Sequence, residues 1–292
     1  MLSVATGAAR ATDKARTLRA SIDERIESLA KAIDAERASA EFRAYLDVQA
    51  RFYNYSWHNC LLIYSQRPDA SRVAGFRAWK KLGRHVRKGE RGIMILAPCP
   101  FHRTETDDDT ERAIDGVWFK PVHVFDIAQT DGQPMPAFDV PDVVQAADDL
   151  LSGLKAVAVA RGIRLAYVDL RPGHYGTSKG GTIELANRMA SGQAAKTLAH
   201  ELAHEALHKA DRERLTRSVA ELEAEAVAYV VCRHCGFDVE VRSSRYIALW
   251  GGDGKGLRES LDRISATARA IIDDVEAQQT GPRDAKPETL AA

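Results

Sequence analysis

Cysteine is scarce in this sequence: four among 292 residues, too few for a disulfide framework in so long a chain and in keeping with a reducing compartment. No apolar run approaches the roughly 18–20 residues that span a bilayer. Met1–Arg19 lacks the apolar stretch of a secretory signal, so the expectation is a soluble, cytoplasmic chain with no membrane partner. No internal repeat is visible. What is present is an ordinary globular balance, 45% hydrophobic and 28% charged, which excludes whole-chain disorder, collagen-like structure and low-complexity architecture.

Net charge is absent too, with 41 Lys and Arg against 41 Asp and Glu, but the balance hides an asymmetry. Residues 51–100 carry ten Lys and Arg against two acids, a net of +8, and residues 101–150 carry three basics against twelve acids, a net of −9. The basic stretch also holds Phe52, Tyr53, Tyr55, Trp57, Tyr64, Phe76 and Trp79. Clustered cations interleaved with rings point to a polyanion partner.

Apolar spacing predicts helix over 20–66, stopped by Pro68, and a shorter helical stretch from Val73 to Lys81. Strand-like runs follow at 92–97, 116–119 and 122–125, with an acidic hairpin tip at 104–110. Pro134, Pro136 and Pro141 then break both helix and ladder, which marks a domain boundary. Beyond it the pattern predicts helix at 143–161, strands at 163–168 and 182–186, and helices at 191–208, 217–235 and 255–278. The expected fold class is α+β in two domains: 15–133, a linker at 134–142, a second domain at 143–280 and a tail at 281–292.

The sharpest feature is His200-Glu201-Leu202-Ala203-His204, an HExxH match on a segment read as helix. Residues four apart share a helix face, so both imidazoles reach one ion. Glu201 lies beside the pair, where its carboxylate can take a proton from a water whose pKa zinc lowers to about 7. An open site needs a third protein ligand. Glu221 and Glu225 share a face of the next helix, so one can bind the ion while the other hydrogen-bonds a ligand histidine. Glu223, about 200° around the helix from Glu221, is expected to be solvated.

HExxH also arises by chance, and a helix rich in His and Glu is often only a solvated face. Here the motif follows a strand, carries a Leu/Ala stripe and precedes a spaced acidic pair, which favours the metal site. The donor set suits Zn²⁺, with Mn²⁺ or Co²⁺ as replacements in vitro. His208 follows on the next turn, but three ligands on one straight helix converge poorly, so it is assigned to packing or to supporting another ligand. Cys232-Arg-His-Cys235 is a lone CxxC, read as buried cysteine rather than a zinc knuckle.

An HExxH followed by a glutamate helix resembles the gluzincin metallopeptidases, and Glu223-Ala-Glu-Ala226 resembles their ImmA/IrrE branch. The resemblance implies that Glu221 is the third ligand and Glu225 the acid that contacts a ligand histidine. It also implies an edge strand that holds a substrate peptide extended, assigned to Gly181–Leu185. Tyr175, His174 and Tyr246 are candidates for the oxyanion donor.

Residues 72–91 carry eight basics and one acid. Arg72, Arg77, Lys80, Lys81, Arg84, Arg87, Lys88 and Arg91 are expected to hold phosphates, with Trp79 among the rings that could stack on unpaired bases, although any single large ring is more often core. Tyr55-Ser-Trp-His-Asn59, Gln66-Arg-Pro68, Val73-Ala-Gly75, Trp79 and Gly83–Gly92 resemble the N-terminal domain of ArdC-type antirestriction proteins. That family implies binding of single-stranded DNA, a following zincin-like metallopeptidase domain with a protein or peptide substrate, and a role in mobile elements. Two functions from different classes follow: a working peptidase with Glu201 as base, including one that cuts a transcriptional repressor, or a DNA-binding protector whose metal is structural. A base is superfluous in a structural site, which favours the first.

Overall fold

The structure is a computed structural model that describes residues 2–30, 35–107, 110–134, 143–207, 216–239 and 253–280. Their contacts form two compact units, 2–25 with 61–134 and 26–60 with 143–280. Two helices, α1 (Leu2–Ala30) and α3 (Trp57–Gln66), cross the division.

The first unit is built on a long antiparallel hairpin of β3 (Ile93–Asp107) and β4 (Thr110–Asp126), with β1 (Val73–Gly75) on the outer side of β4. The expected helix at 73–81 therefore splits into β1 and a short α4 (Phe76–Lys81). A second ribbon pairs β2 (Arg84–Val86) with β5 (Thr130–Gly132). Three-residue strands carry too little alternation to be read from sequence. Ile93, Ile95 and Val124 bury the base of the hairpin, with Leu62, Ile63 and Trp79 also in the core. Buried Asp126 organises the turn: its carboxylate accepts the Ser71 and Arg72 amides at 2.7 and 3.0 Å and caps Ala128 at 2.9 Å.

The second unit places α2 (Ala35–Arg51), α5 (Val143–Ala160), α6 (Ser191–Leu207), α7 (Arg217–His234) and α8 (Gly254–Thr280) around a small mixed sheet. Strand order is β6 (Arg164–Val168), β8 (Thr182–Ala186), β7 (Gly176–Ser178), with β6–β8 parallel and β7–β8 antiparallel. Helix α7 touches α2, α6 and α8 and is buried almost all round, from Leu222 to Cys232 except Glu225. Thr216 caps it, accepting the Val219 amide at 3.4 Å.

The grouping differs from the division drawn on sequence at its N-terminal side: 26–60 belong with the C-terminal residues. The physical reason lies in α2 and the segment after it. Asp47 accepts from Tyr229 Oη at 2.8 Å and Arg233 Nε at 2.9 Å, and Tyr53 Oη donates to Glu276 at 3.0 Å. Of the expected linker, all but Pro134 lies outside the described residues. No helix among the described residues is long and apolar enough to cross a membrane.

Candidate metal centre and basic surface

Helix α6 presents two faces. Ala195, Leu198, Ala199, Leu202 and Ala203 are fully buried and anchor it, and the HExxH histidines emerge beside that stripe toward a cleft of about 720 Å³. Helix α7 crosses next to it and brings Glu221 and Glu225 to the same cleft. Ala199 and Ala203 on α6 and Ala224 and Ala228 on α7 are fully buried.

The Nε2 atoms of His200 and His204 are 3.0 Å apart, and Glu221 Oε2 lies 3.4 Å from the first and 3.6 Å from the second. A tetrahedral ion with nitrogen and oxygen ligands at about 2.0–2.1 Å spaces its ligand atoms about 3.3–3.4 Å apart. The observed triangle has that size. Among the described residues, these three side chains form the group able to hold a metal ion. Two imidazole lone pairs facing each other repel unless a cation lies between them. Burial lowers the His200 pKa, but Glu221 and Glu225 outweigh it and push it up to about 9. The same contacts, His200 foremost, hold Glu221 far below the usual carboxylate range.

Glu225 lies on the other side of His200, its Oε2 3.6 Å from the buried Nδ1, beyond hydrogen-bond distance. Its second oxygen accepts from Lys196 Nζ at 2.8 Å. Burial would raise the Glu225 pKa, but His200 and Lys196 hold it at about 2. Of the alternatives left open by the spacing, Glu221 faces both Nε2 atoms and Glu225 backs one histidine.

Glu201 is buried, and burial raises its carboxyl pKa against the lowering pull of His200 and His204. Its pocket is closed by Gly176 of β7, where a Cβ would stand 2.6 Å from Thr197 Cγ2 and 3.1 Å from Glu201 Oε1. The strand expected to border the cleft, 181–185, does not do so. It is β8, the central strand, with main-chain groups committed to β6 and β7 on its two sides. The edge that lines the cleft is β7. His174 and Tyr175 also line it, and Tyr246 lies outside the described residues, as does His208.

Glu223 corrects a second expectation. It has no exposed surface and binds across to α8, accepting from Ser260 Oγ at 2.5 Å and Arg263 Nη2 at 2.5 Å. A helical wheel separates Glu223 from Glu221, but solvent lies on the opposite face only if no other element covers it, and α8 does. Cys232 is buried, and burial pushes its thiol up; Cys235, which ends the helix, is pushed up to about 12 by the same cause. Sequence reading also missed Glu205 and Lys196, whose partners come from elements distant along the chain.

The basic block divides by what its cations already hold. Arg77, Lys80 and Lys81 on α4, with Lys88 and Arg91 on the following turn, are exposed. Half-buried Arg84 is instead tied to the β5 ribbon through Thr130 Oγ1 at 2.8 Å and the Thr130 carbonyl at 2.9 Å, and Arg87, though exposed, is engaged by the Ala128 carbonyl at 2.6 Å and Glu90 at 2.7 Å. Arg72 is half-buried. Trp79 is 2% exposed, and its Nε1 donates to the Phe125 carbonyl at 2.8 Å; it is core, not a stacking face. Tyr53 and Trp57 are likewise buried, with Trp57 Nε1 donating to Asp262 at 2.5 Å. The exposed rings of the first unit are Phe76 at 56%, Trp118 at 50%, Phe119 and Phe101. The last three lie on the hairpin, outside the stretch that charge had singled out.

Residues 12–125 match the family model of the N-terminal domain of anti-restriction factor ArdC. The resemblance read from the Tyr55–Gly92 motifs is thereby supported for that part of the chain. An uncharacterized protein of Bacillus anthracis is 28% identical over 277 residues, which covers 78% of this chain; the chain spans 46%, about half, of that relative's length. The metal-free crystal structure of the antirestriction ArdC protein from plasmid R388 is similar in fold, with a TM-score of 0.51 at 20% identity over 76% of this chain and 84% of that one. The Mn(II)-bound structure of the R388 protein gives a TM-score of 0.49 at 20% identity, over 82% of this chain and 99% of that one.

Proposed function

We propose that this chain is a single-stranded-DNA-binding zinc metallopeptidase of antirestriction type, with a cytoplasmic protein or peptide as substrate. The observation that carries the peptidase reading is the convergence of His200 Nε2, His204 Nε2 and Glu221 Oε2 beside a buried Glu201 on an open cleft. A purely structural site would need a fourth ligand in place of the cleft and no base beside it.

His200, His204 and Glu221 would hold the ion, and Glu225 would orient His200 from behind, itself oriented by Lys196. When bound, a divalent ion supplies Lewis acidity to a water and to a scissile carbonyl. Glu201 takes the proton of the attacking water, a task eased by the raised basicity that burial confers. The same carboxyl then returns the proton to the departing amine. Edge strand β7 offers main-chain groups along the cleft on which an extended peptide can lie.

The DNA part of the reading rests on the exposed cations of α4 and the turn after it, with Phe76 among them. The peptidase part is tested by comparing wild type with Glu201→Gln in cells that carry the protein. Proteins cut by wild type alone identify the substrate. Identical proteomes, with equal antirestriction in the two strains, would replace the peptidase with a protector.

A further inference from the structure

Glu205 follows the second histidine of the motif and is buried, and it stands apart from the His200, His204 and Glu221 group. Its Oε1 accepts from Ser178 Oγ at 2.5 Å and from the Gly180 amide at 2.8 Å, and its Oε2 accepts from the Gly181 amide at 2.7 Å. A buried carboxylate is costly unless satisfied in this way, and charge-assisted bonds of this length are strong. Gly180 and Gly181 both have positive φ, +74° and +88°, so the turn between β7 and β8 exists in a form that leaves two amides pointing at one side chain. Glu201 and Glu205 are four residues apart on one face of α6: Glu205 meets Ser178 of β7 through its hydroxyl, and Glu201 lies against Gly176 of the same strand.

We infer that Glu205 is a positioning residue that locks the β7–β8 turn to α6 and so sets where the cleft edge lies relative to Glu201 and the histidines. The chemistry is that of a fixed anchor. Strand β7 is three residues long and paired on one side only, and such an edge is held in place by its ends. The turn at its C-terminal end is clamped by Glu205, and Gly176 packs against Thr197 and Glu201 at the other. A peptide laid on β7 would therefore register its scissile bond through Glu205, without touching it. This inference rests on the peptidase reading above.

The test uses two zinc-directed probes on full-length, zinc-loaded protein. Acetohydroxamate reads the metal alone, whereas a tripeptidyl hydroxamate reads the metal and the strand. In wild type the peptidyl probe should bind more tightly than acetohydroxamate by about tenfold or more. In Glu205→Gln the amide can accept at one oxygen only, and its NH₂ faces a donor. That advantage should fall by about tenfold, while zinc content and acetohydroxamate affinity stay within about twofold of wild type. Ser178→Ala, which keeps both glycine bonds, should lose part of the advantage and guards against misfolding of the first variant. Equal affinity of wild type for both probes would overturn the edge-strand reading itself. A preference kept by wild type and both variants alike would overturn the role of Glu205 alone.

Discussion

Gly176 leaves no room for a methyl beside Glu201: a Cβ there would clash with Thr197 Cγ2 at 2.6 Å and crowd Glu201 at 3.0 Å from Cγ and 3.1 Å from Oε1. The place of the Glu201 carboxyl is therefore shaped by the strand opposite. Gly176→Ala should displace Glu201 or Thr197 and destabilise the second unit by about 1–3 kcal/mol, the usual cost of overpacking. Thermal unfolding beside zinc content checks it: a lower Tm with metal retained is expected. An unchanged Tm would mean that the strand moves freely.

Zinc binding should depend on the two helices unequally. His200→Ala, His204→Ala and Glu221→Ala each remove a ligand and should leave protein with little metal by elemental analysis. Glu225→Gln should weaken metal affinity by about 10–100-fold through His200 rather than abolish it. Near-complete loss in Glu225→Gln with retention in Glu221→Ala would reverse the two roles.

DNA affinity should follow the cations that no carbonyl of the protein already holds, not the charge count of the block. Replacing Lys80, Lys81, Lys88 and Arg91 with Ala should flatten the plot of log K against log salt by about 0.7 for each phosphate no longer neutralised, with zinc content untouched. Arg84→Ala and Arg87→Ala should act mainly on stability, since both guanidiniums are bound to main-chain carbonyls. Trp79→Ala should cost about 3–5 kcal/mol as a core deletion, and any DNA effect should disappear under conditions that keep the variant folded.

Glu223→Ala should be among the most damaging substitutions outside the cleft. Removing one partner of a buried pair leaves the other without its counter-charge, at a cost of about 3–5 kcal/mol, reduced here because Arg263 keeps some solvent contact. The double change Glu223→Leu/Arg263→Met should recover much of the loss in chemical denaturation. A double variant no better than the single would refute the pairing.

Much of the second unit was legible in the chain. The helices at 143–160, 191–207 and 217–234 fall within a residue or two of the expected spans, because long amphipathic periods leave little choice. The HExxH geometry was legible for the same reason, as its spacing is local. What failed was everything that depends on a covering element. Glu223 read as solvated because a wheel shows faces and not neighbours. Trp79 was a candidate both for stacking and for the core, and the sequence could not choose because burial is a tertiary property. Glu205 carried no signal, since its partners at 178–181 meet it only after β7 folds back on β8. The edge role went to 181–185 because the three-residue β7 left too short a pattern to see.

The ribbon that carries Arg84 and Arg87 has a kinetic consequence. Gln129 binds Glu90 at 3.0 Å and the Arg91 carbonyl at 2.8 Å, while its own Oε1 receives the Asp126 amide. The turn bearing Lys88 and Arg91 is thus braced from beneath before any polyanion arrives. Encounter with a nucleic-acid strand then needs no loop to fold first. Association should be governed by diffusion and charge steering, with a rate that falls steeply as ionic strength rises.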